Sequence, residues 1–144
     1  MTETQAFRET FRRRHCLIPA TGYCEWEQID SRTKQPWRIV PGGEPIFAFA
    51  GRWERRDKSD EPIESYTIIV GEANMLSAPI HDRMPVILDQ ADWNTWLDAA
   101  DIEAAKALLR PWPTERMRRY QVDRHVGKVK NDDPSLIQPI DTAA

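Results

Sequence analysis

Two prolines bound the segment that most constrains the middle of this chain. Pro79 and Pro85 each fix the backbone angle φ and lack an N–H donor, and the residue before each is pushed toward extended geometry. Between them lie three consecutive ionisable side chains, His81, Asp82 and Arg83. The pattern predicts a short, stiff connector that leads into a buried strand over residues 86–88. Because histidine changes charge near neutral pH, the connector is either a solvated turn or a proton-handling site.

Size and composition indicate one globular domain. The chain has 144 residues, of which 40% are hydrophobic and 30% are charged, as is usual for a single folded domain. The net charge is only −3, yet arginines and lysines concentrate within residues 8–14, 52–56 and 110–130. A basic face of this kind either holds a polyanion or is simply solvated. The chain also has six tryptophans, which would stack on single-stranded bases where they are exposed.

Cysteine usage and hydropathy indicate the compartment. The two cysteines, Cys16 and Cys24, do not form a C-x-x-C motif. No segment is long and apolar enough to span a membrane, and the N-terminus lacks the apolar centre of a secretory signal. We therefore expect a cytoplasmic protein with free thiols. Because the chain also lacks a glycine-rich phosphate loop and an H-E-x-x-H motif, we expect no cofactor, no bound metal and no membrane partner.

Short apolar runs separated by turn residues predict a β-sheet. The strand-like runs are residues 16–18, 23–27, 37–40, 46–53, 66–70, 86–88 and 119–122. Turn-forming residues between the runs at 37–40 and 46–53 predict a hairpin. The β-branched run at 66–70 is typical of a core strand.

Helical signals are short. Phe7 and Phe11, four residues apart among arginines, predict an amphipathic helix over residues 6–14. Asp89 and Asp101 are placed to cap two further helices. We therefore predict an α+β fold that is mostly antiparallel β-sheet with a few short flanking helices, and a single domain over the whole chain.

One carboxylate lies within a predicted strand. Period-two alternation places Tyr23, Glu25 and Glu27 on one face of that strand, and it places Cys24 and Trp26 on the other. Glu25 is thus a strand carboxylate with aromatic neighbours, which suits general acid or base chemistry when it is partly buried. The alternative is a solvent-facing glutamate without a catalytic role.

Three catalytic arrangements fit these residues. Glu25 and His81 would form an acid–base pair if their segments meet across the sheet. Cys16 or Cys24 would form a nucleophile pair with His81, although cysteines in apolar strands are usually inert. A zinc site would combine His15 with the two cysteines and His81, but the spacing fits no familiar zinc pattern.

Four sequence motifs occur in one order along the chain. They are CLIPATGYCEW at 16–26, FAFAGRWE at 47–54, IHDRMPVIL at 80–88 and VGKVKNDDP at 126–134. Together they resemble the SOS-response-associated peptidase (SRAP) family, and the resemblance covers nearly the whole chain. It implies an SRAP-like fold, which is a twisted β-sheet or open barrel, and among the three arrangements it favours the pair of Glu25 and His81.

The resemblance also implies a function. Proteins of this family sense abasic sites in single-stranded DNA and form a covalent protein–DNA crosslink through the amine and thiol of an N-terminal cysteine, with an associated autopeptidase activity. By match to the motifs, Glu25 would shuttle protons, and His81 would assist ring opening or crosslink reversal. The positions that would contact DNA are Arg83, Trp26, Glu3 and Thr4.

The chain departs from the family pattern at its start. Thr2 stands where the N-terminal cysteine is expected, and neither Cys16 nor Cys24 fits that role. We therefore expect a family member that lacks its N-terminal portion, is inactive alone, and would be completed by an upstream fragment. Two other functions stay open: a non-catalytic module that binds single-stranded DNA, and a thiol hydrolase that pairs a cysteine with His81.

Overall fold

The structure, a computed structural model, describes residues 14–57, 61–98 and 101–140. The chain divides into two compact units. The first unit contains Ala48–Gly71, Pro85–Trp112 and the segment that ends at Pro19, and the second contains Ala20–Phe47, Glu72–Met84 and Pro113–Ala144. The amphipathic helix predicted over residues 6–14 lies almost wholly outside the described residues, as do the predicted DNA contacts Glu3 and Thr4.

Eight strands and two short α-helices follow one another along the described chain. The strands are β1 (His15–Ala20), β2 (Tyr23–Gln28), β3 (Lys34–Pro41), β4 (Phe47–Arg56), β5 (Ile63–Ile68), β6 (Val70–Glu72), β7 (Arg83–Pro85) and β8 (Met117–Gln121). The α-helices are α1 (Trp93–Leu97) and α2 (Ile102–Ala107), and short 3-10 helices lie at Gln90–Asp92, Thr114–Arg116, Arg124–Gly127 and Pro134–Ile137.

The strands form three open sheets, ordered β1–β4–β5, β2–β3–β8 and β6–β7. The β2–β3, β3–β8 and β4–β5 pairs are antiparallel. The predicted α+β class, mostly antiparallel sheet with a few short helices, is therefore confirmed. No helix in the described part of the chain has the length and apolarity needed to cross a membrane.

The first unit packs its helices against β4 and the segment that follows β7. Backbone hydrogen bonds join Ala50 N to Val86 O at 2.8 Å and Leu88 N to Ala48 O at 2.9 Å. Val86 and Leu88 are almost fully buried in one apolar cluster with Trp96. The segment predicted as a buried strand over residues 86–88 is buried, but the strand itself was misplaced: β7 ends at Pro85, and the segment contributes an isolated β-bridge between Ile87 and Phe49.

The two predicted helix caps differ. The Asp101 carboxylate accepts a hydrogen bond from Ala104 N at 2.9 Å and caps α2 as predicted. Asp89 instead precedes a 3-10 helix, and its side chain makes no capping hydrogen bond.

Two further strand predictions were wrong. The hairpin expected between residues 37–40 and 46–53 does not form, because β3 pairs with β2 and β8 whereas β4 pairs with β1 and β5. The run at 66–70 was expected in the core but falls largely in the edge strand β5. Residues 63–67 of that strand are exposed, and Ile68 is half-buried. Tyr66 is 65% exposed. A β-branched composition favours a strand but does not decide whether its faces are covered.

The second unit is built around the β2–β3–β8 sheet, in which β3 is central. A tight turn leads from β1 into β2, and Gly22 in that turn has φ +155°. A Cβ added there would lie 2.5 Å from Ile39 O and 2.9 Å from Val40 Cγ1. The close approach of β3 therefore requires glycine at this position.

Candidate functional site

One face of the β2–β3–β8 sheet carries the predicted catalytic carboxylate. Directly paired residues of antiparallel strands share a face, and Glu25 pairs with Trp37. Ile39, the next residue of β3 on this face, pairs with Tyr23 on one side and with Arg119 on the other. The alternation predicted for β2 is therefore confirmed. We call this surface the carboxylate face.

Trp37 links two charged side chains on the carboxylate face. Its Nε1 donates a hydrogen bond to Glu27 Oε2 at 2.7 Å. The guanidinium carbon of Arg119 lies 4.8 Å from the centroid of the Trp37 ring, a distance at which cation–π attraction is favourable. The face therefore combines an ordered positive group with the carboxylates of Glu25 and Glu27.

Residues 74–81, which we call the histidine loop, lie between β6 and β7. Asn74 organises the loop, because its Oδ1 accepts hydrogen bonds from the backbone N–H groups of Leu76 at 3.1 Å and Ser77 at 3.0 Å. The Ser77 carbonyl then accepts a hydrogen bond from His81 N at 3.0 Å. Successive hydrogen-bonded turns therefore hold His81 at the end of the loop.

Two contacts tie the histidine loop to the carboxylate face. Tyr23 Oη lies 3.4 Å from Ser77 Oγ. Arg119 Nη1 donates a hydrogen bond to the Leu76 carbonyl at 2.7 Å. Both sheet residues project from the carboxylate face, so the loop is anchored to that face on two of its residues.

Glu25 and His81 thus belong to two elements of the second unit that contact each other. Within the described chain, no hydrogen bond joins the two side chains. Glu25 Oε1 lies 3.2 Å from the backbone nitrogen of Trp26. Their action as an acid–base pair stays a prediction, supported by the anchoring of the loop.

Tyr23 is the most strongly perturbed acid on the carboxylate face. Burial raises the pKa of Tyr23 to about 12, the hydrogen bond to Ser77 opposes the rise, and the negative charge of Glu25 adds to it. The phenol is therefore neutral throughout the physiological pH range and stays available as a hydrogen-bond donor. Glu25 can act on this pKa because it lies two residues along β2 on the same face.

One nitrogen of the His81 ring has both a donor and two acceptors beside it. Nδ1 lies 3.1 Å from Arg83 N, and it accepts this hydrogen bond when it carries no hydrogen. The same atom lies 3.2 Å from Asp82 Oδ1 and 3.3 Å from the Arg83 carbonyl, and it donates to them when it carries one. The side chain is 47% exposed, so the ring is accessible from solvent.

Two of the predicted DNA contacts, Arg83 and Trp26, lie in the described residues. Arg83 is exposed at the start of β7, and its guanidinium forms no ion pair with a described carboxylate. Trp26 alternates with Glu25 and so lies on the opposite face of the sheet, where a Cβ added to Gly127 would lie 3.8 Å from its ring. Their DNA-binding roles stay predictions.

The thiol and zinc arrangements receive less support from the geometry. Burial raises the pKa of the Cys16 thiol, which makes it a poor nucleophile at neutral pH. Cys24 alternates with Glu25 and faces away from the carboxylate face. Across the described ranges, no three histidine, cysteine, aspartate or glutamate side chains gather as a metal ion requires.

Sequence reasoning missed three residues that organise this site: Trp37, Ser77 and Arg119. Trp37 was counted as one of six tryptophans and as part of a strand, and Arg119 was counted as part of a basic group and of a predicted strand, but neither was assigned to the site. Alternation along β3 and β8 would have placed Trp37 and Arg119 on the same face as Glu25, but only once the strand pairing was known.

Known sequences share this pattern. The profile of the family described as SOS response associated peptidase (SRAP) matches residues 1–129. The chain is 37% identical over 141 residues to the abasic site processing protein YoqW of Bacillus subtilis. This alignment covers 96% of the chain and 63% of the relative. It is also 31% identical over 150 residues to the abasic site processing protein HMCES of Gallus gallus. That alignment covers 89% of the chain and 44% of the relative.

A solved structure shares the fold. The crystal structure of a protein from Bacteroides thetaiotaomicron matches with a TM-score of 0.86 at 33% identity, which covers 96% of this chain and 62% of that one. The chain therefore spans less than two thirds of the length of these relatives. Sequence profile, identity to relatives and fold agree, and the chain belongs to the SOS response associated peptidase (SRAP) family.

Proposed function

We propose that this chain binds abasic sites in single-stranded DNA and takes part in their processing. The anchoring of the histidine loop to the carboxylate face carries this proposal, because it provides a carboxylate and an imidazole on contacting elements. The names of the relatives from Bacillus subtilis and Gallus gallus, both abasic site processing proteins, support it.

Glu25 and His81 handle protons in this proposal. Glu25 transfers protons while an amine condenses with the sugar aldehyde, and His81 assists opening of the sugar ring. The exposure of the His81 ring and the donor and acceptors beside its Nδ1 support this role. Arg83 binds a phosphate, and Trp26 stacks on a neighbouring base.

The covalent step needs an amine and a thiol on the same residue. Cys16 and Cys24 are internal and have no free amine, and both thiols are unpaired. We propose that an upstream fragment supplies the N-terminal cysteine and completes the site, in the reducing cytoplasm that free thiols suit.

Binding is tested with two labelled single-stranded oligonucleotides that differ only in one central abasic site. Fluorescence anisotropy at low salt is expected to show tighter binding to the abasic strand. Equal binding to both strands would favour the alternative function, a non-catalytic module for single-stranded DNA. Undetectable binding to either strand would contradict both functions.

Proton transfer is tested by adding a short peptide that begins with cysteine. The peptide forms a thiazolidine with the abasic site, and a denaturing gel measures its rate. The chain is expected to raise this rate, and Glu25→Gln or His81→Gln to lower it about tenfold or more. The matched controls Glu115→Gln and His125→Gln change exposed residues elsewhere in the second unit and are expected to keep the wild-type rate. If all four variants behave alike, the proposed roles fail.

A further inference from the structure

Arg119 makes two different contacts on the carboxylate face. Its Nη1 donates a hydrogen bond to the Leu76 carbonyl at 2.7 Å, and its guanidinium stacks over the Trp37 ring at 4.8 Å. We propose that Arg119 is a positioning residue that holds the histidine loop, and through it His81, over the carboxylate face. This inference rests on the function proposed for Glu25 and His81.

A short path of covalent and hydrogen bonds connects Arg119 to the imidazole. The Leu76 carbonyl that accepts from Arg119 is directly followed by Ser77. The Ser77 carbonyl accepts from His81 N at 3.0 Å. A shift of Leu76 therefore moves the peptide group to which His81 is bonded, and a small misplacement of a reacting group is costly in catalysis.

The chemistry of the contact requires arginine. A planar guanidinium can lie flat on an indole ring and still direct an N–H toward a carbonyl in its own plane, whereas a lysine ammonium cannot stack in this way. Trp37 is itself fixed by its hydrogen bond to Glu27 at 2.7 Å. Arg119 forms no ion pair with a carboxylate of the described residues, so the carbonyl and the ring are its partners there.

The neighbouring residue Arg118 provides a matched control. It lies on the same strand but pairs with Val40 and faces the opposite side of the sheet. Its side chain is exposed, and no ion pair or hydrogen bond of that side chain occurs within the described chain. Arg118→Met and Arg119→Met therefore remove the same charge from adjacent positions, and only the second removes the contact with the loop.

The first measurement is the NMR spectrum of the His81 imidazole in the full chain, assigned by the loss of its signals in His81→Gln. Arg119→Met is expected to shift or broaden these signals, Arg119→Lys to do so less, and Arg118→Met to leave them unchanged. Unchanged His81 signals in folded Arg119→Met would overturn the proposal. If Arg119→Met fails to fold, Arg119→Lys decides by the same criterion.

The second measurement is the ratio of affinities for abasic and intact single-stranded oligonucleotides. Arg119→Met is expected to reduce this ratio roughly tenfold, whereas Arg118→Met is expected to weaken both affinities equally. If the two variants lose affinity for both strands to the same extent, Arg119 contributes only its charge to DNA binding, and the positioning role is overturned. If the wild-type chain shows no preference for the abasic strand, the proposed function fails, and the NMR comparison still decides whether Arg119 positions His81.

Discussion

On each face of the β2–β3–β8 sheet one arginine forms a hydrogen bond with its side chain, and these two arginines are held in different ways. Arg119, on the carboxylate face, stacks on Trp37 and donates to a loop carbonyl. Arg38, on the opposite face, is only 9% exposed. Its Nη2 donates to Thr21 Oγ1 at 3.0 Å, while its buried Nε has no hydrogen-bond partner among the residues that the structure describes. Among those residues, the more deeply buried arginine therefore has fewer partners.

The comparison of Arg38 with Arg119 shows that the more buried side chain is not the one that contacts the histidine loop. A buried cation without a counter-charge costs stability, and no carboxylate of the described residues pairs with Arg38. Arg119 is less buried, yet its contacts connect the sheet to the histidine loop. Substitutions at Arg38 and in the turn beside it should therefore change stability without moving the histidine loop, whereas substitutions of Arg119 and Trp37 should also change the loop.

The largest loss of stability is expected in the turn before β2, where the added Cβ would meet backbone atoms of β3. Gly22→Ala places a Cβ 2.5 Å from Ile39 O and 3.1 Å from Arg38 Cζ at φ +155°. Because the nearest obstacle is backbone and the φ value disfavours alanine, we expect the free energy of unfolding to fall by roughly 3 kcal/mol. Urea denaturation measures the change.

Gly43→Ala is the matched control for this prediction. A Cβ added at Gly43 meets nothing within 4 Å, so stability should change by less than about 0.5 kcal/mol. Similar stabilities of the two variants would show that the turn before β2 relaxes easily.

On the carboxylate face, Arg119→Met should lower the free energy of unfolding by about 2 kcal/mol, because the Leu76 carbonyl loses a charged donor and Trp37 loses its cation. The double variant with Trp37→Leu should lose less than the sum of the two single changes, because the two side chains contact each other. Additive losses in urea denaturation would contradict the stacking contact.

The strand faces could be predicted from sequence because alternation is local. Period-two spacing alone placed Glu25 with Tyr23 and opposite Trp26, and the register confirms it. Strand pairing is not local. The turn residues after β3 suggested a hairpin, but Gly42 N donates to Arg116 O at 2.7 Å and thereby extends the β3–β8 ladder into that turn.

The candidate site could be predicted only in part for the same reason. The motif that contains His81 marked the loop, but the loop's anchors come from β2 and β8, which are distant in sequence. Residues 116–119 include three arginines, and composition does not reveal which of them contacts the loop. The pairing of β8 with β3 makes that choice, because it directs Arg119 and Arg118 to opposite faces.

A smaller effect on the carboxylate face depends on pH. Burial raises the pKa of Tyr23 from its ordinary value of 10.0 to about 12. Between these values the unfolded chain has lost the proton that the folded chain keeps, so stability falls as pH rises. The contribution is fully present below pH 10, and about 1 kcal/mol of it should be lost by pH 11.

Tyr23→Phe removes this titration and should flatten the loss of stability between pH 8 and pH 11. Urea midpoints of the wild type and the variant at both pH values measure the difference between the slopes. Equal slopes would mean that another group controls alkaline unfolding. At pH 8 the variant also reports what the contact with Ser77 contributes to stability.

The smallest effect, and the sharpest contrast with Arg119, is expected at Arg38. Arg38→Met keeps most of the side-chain volume and removes a buried charge whose one side-chain hydrogen bond within residues 14–57, 61–98 and 101–140 is to the Thr21 hydroxyl. Because that charge loses hydration without gaining a carboxylate, we expect the free energy of unfolding to stay within about 1 kcal/mol of the wild type, or to rise. The His81 signals should not change, because the substitution lies on the face without the loop. A loss near 3 kcal/mol, the size expected when a buried ion pair is broken, would show that Arg38 has a charged partner in solution and that the two arginines are held alike.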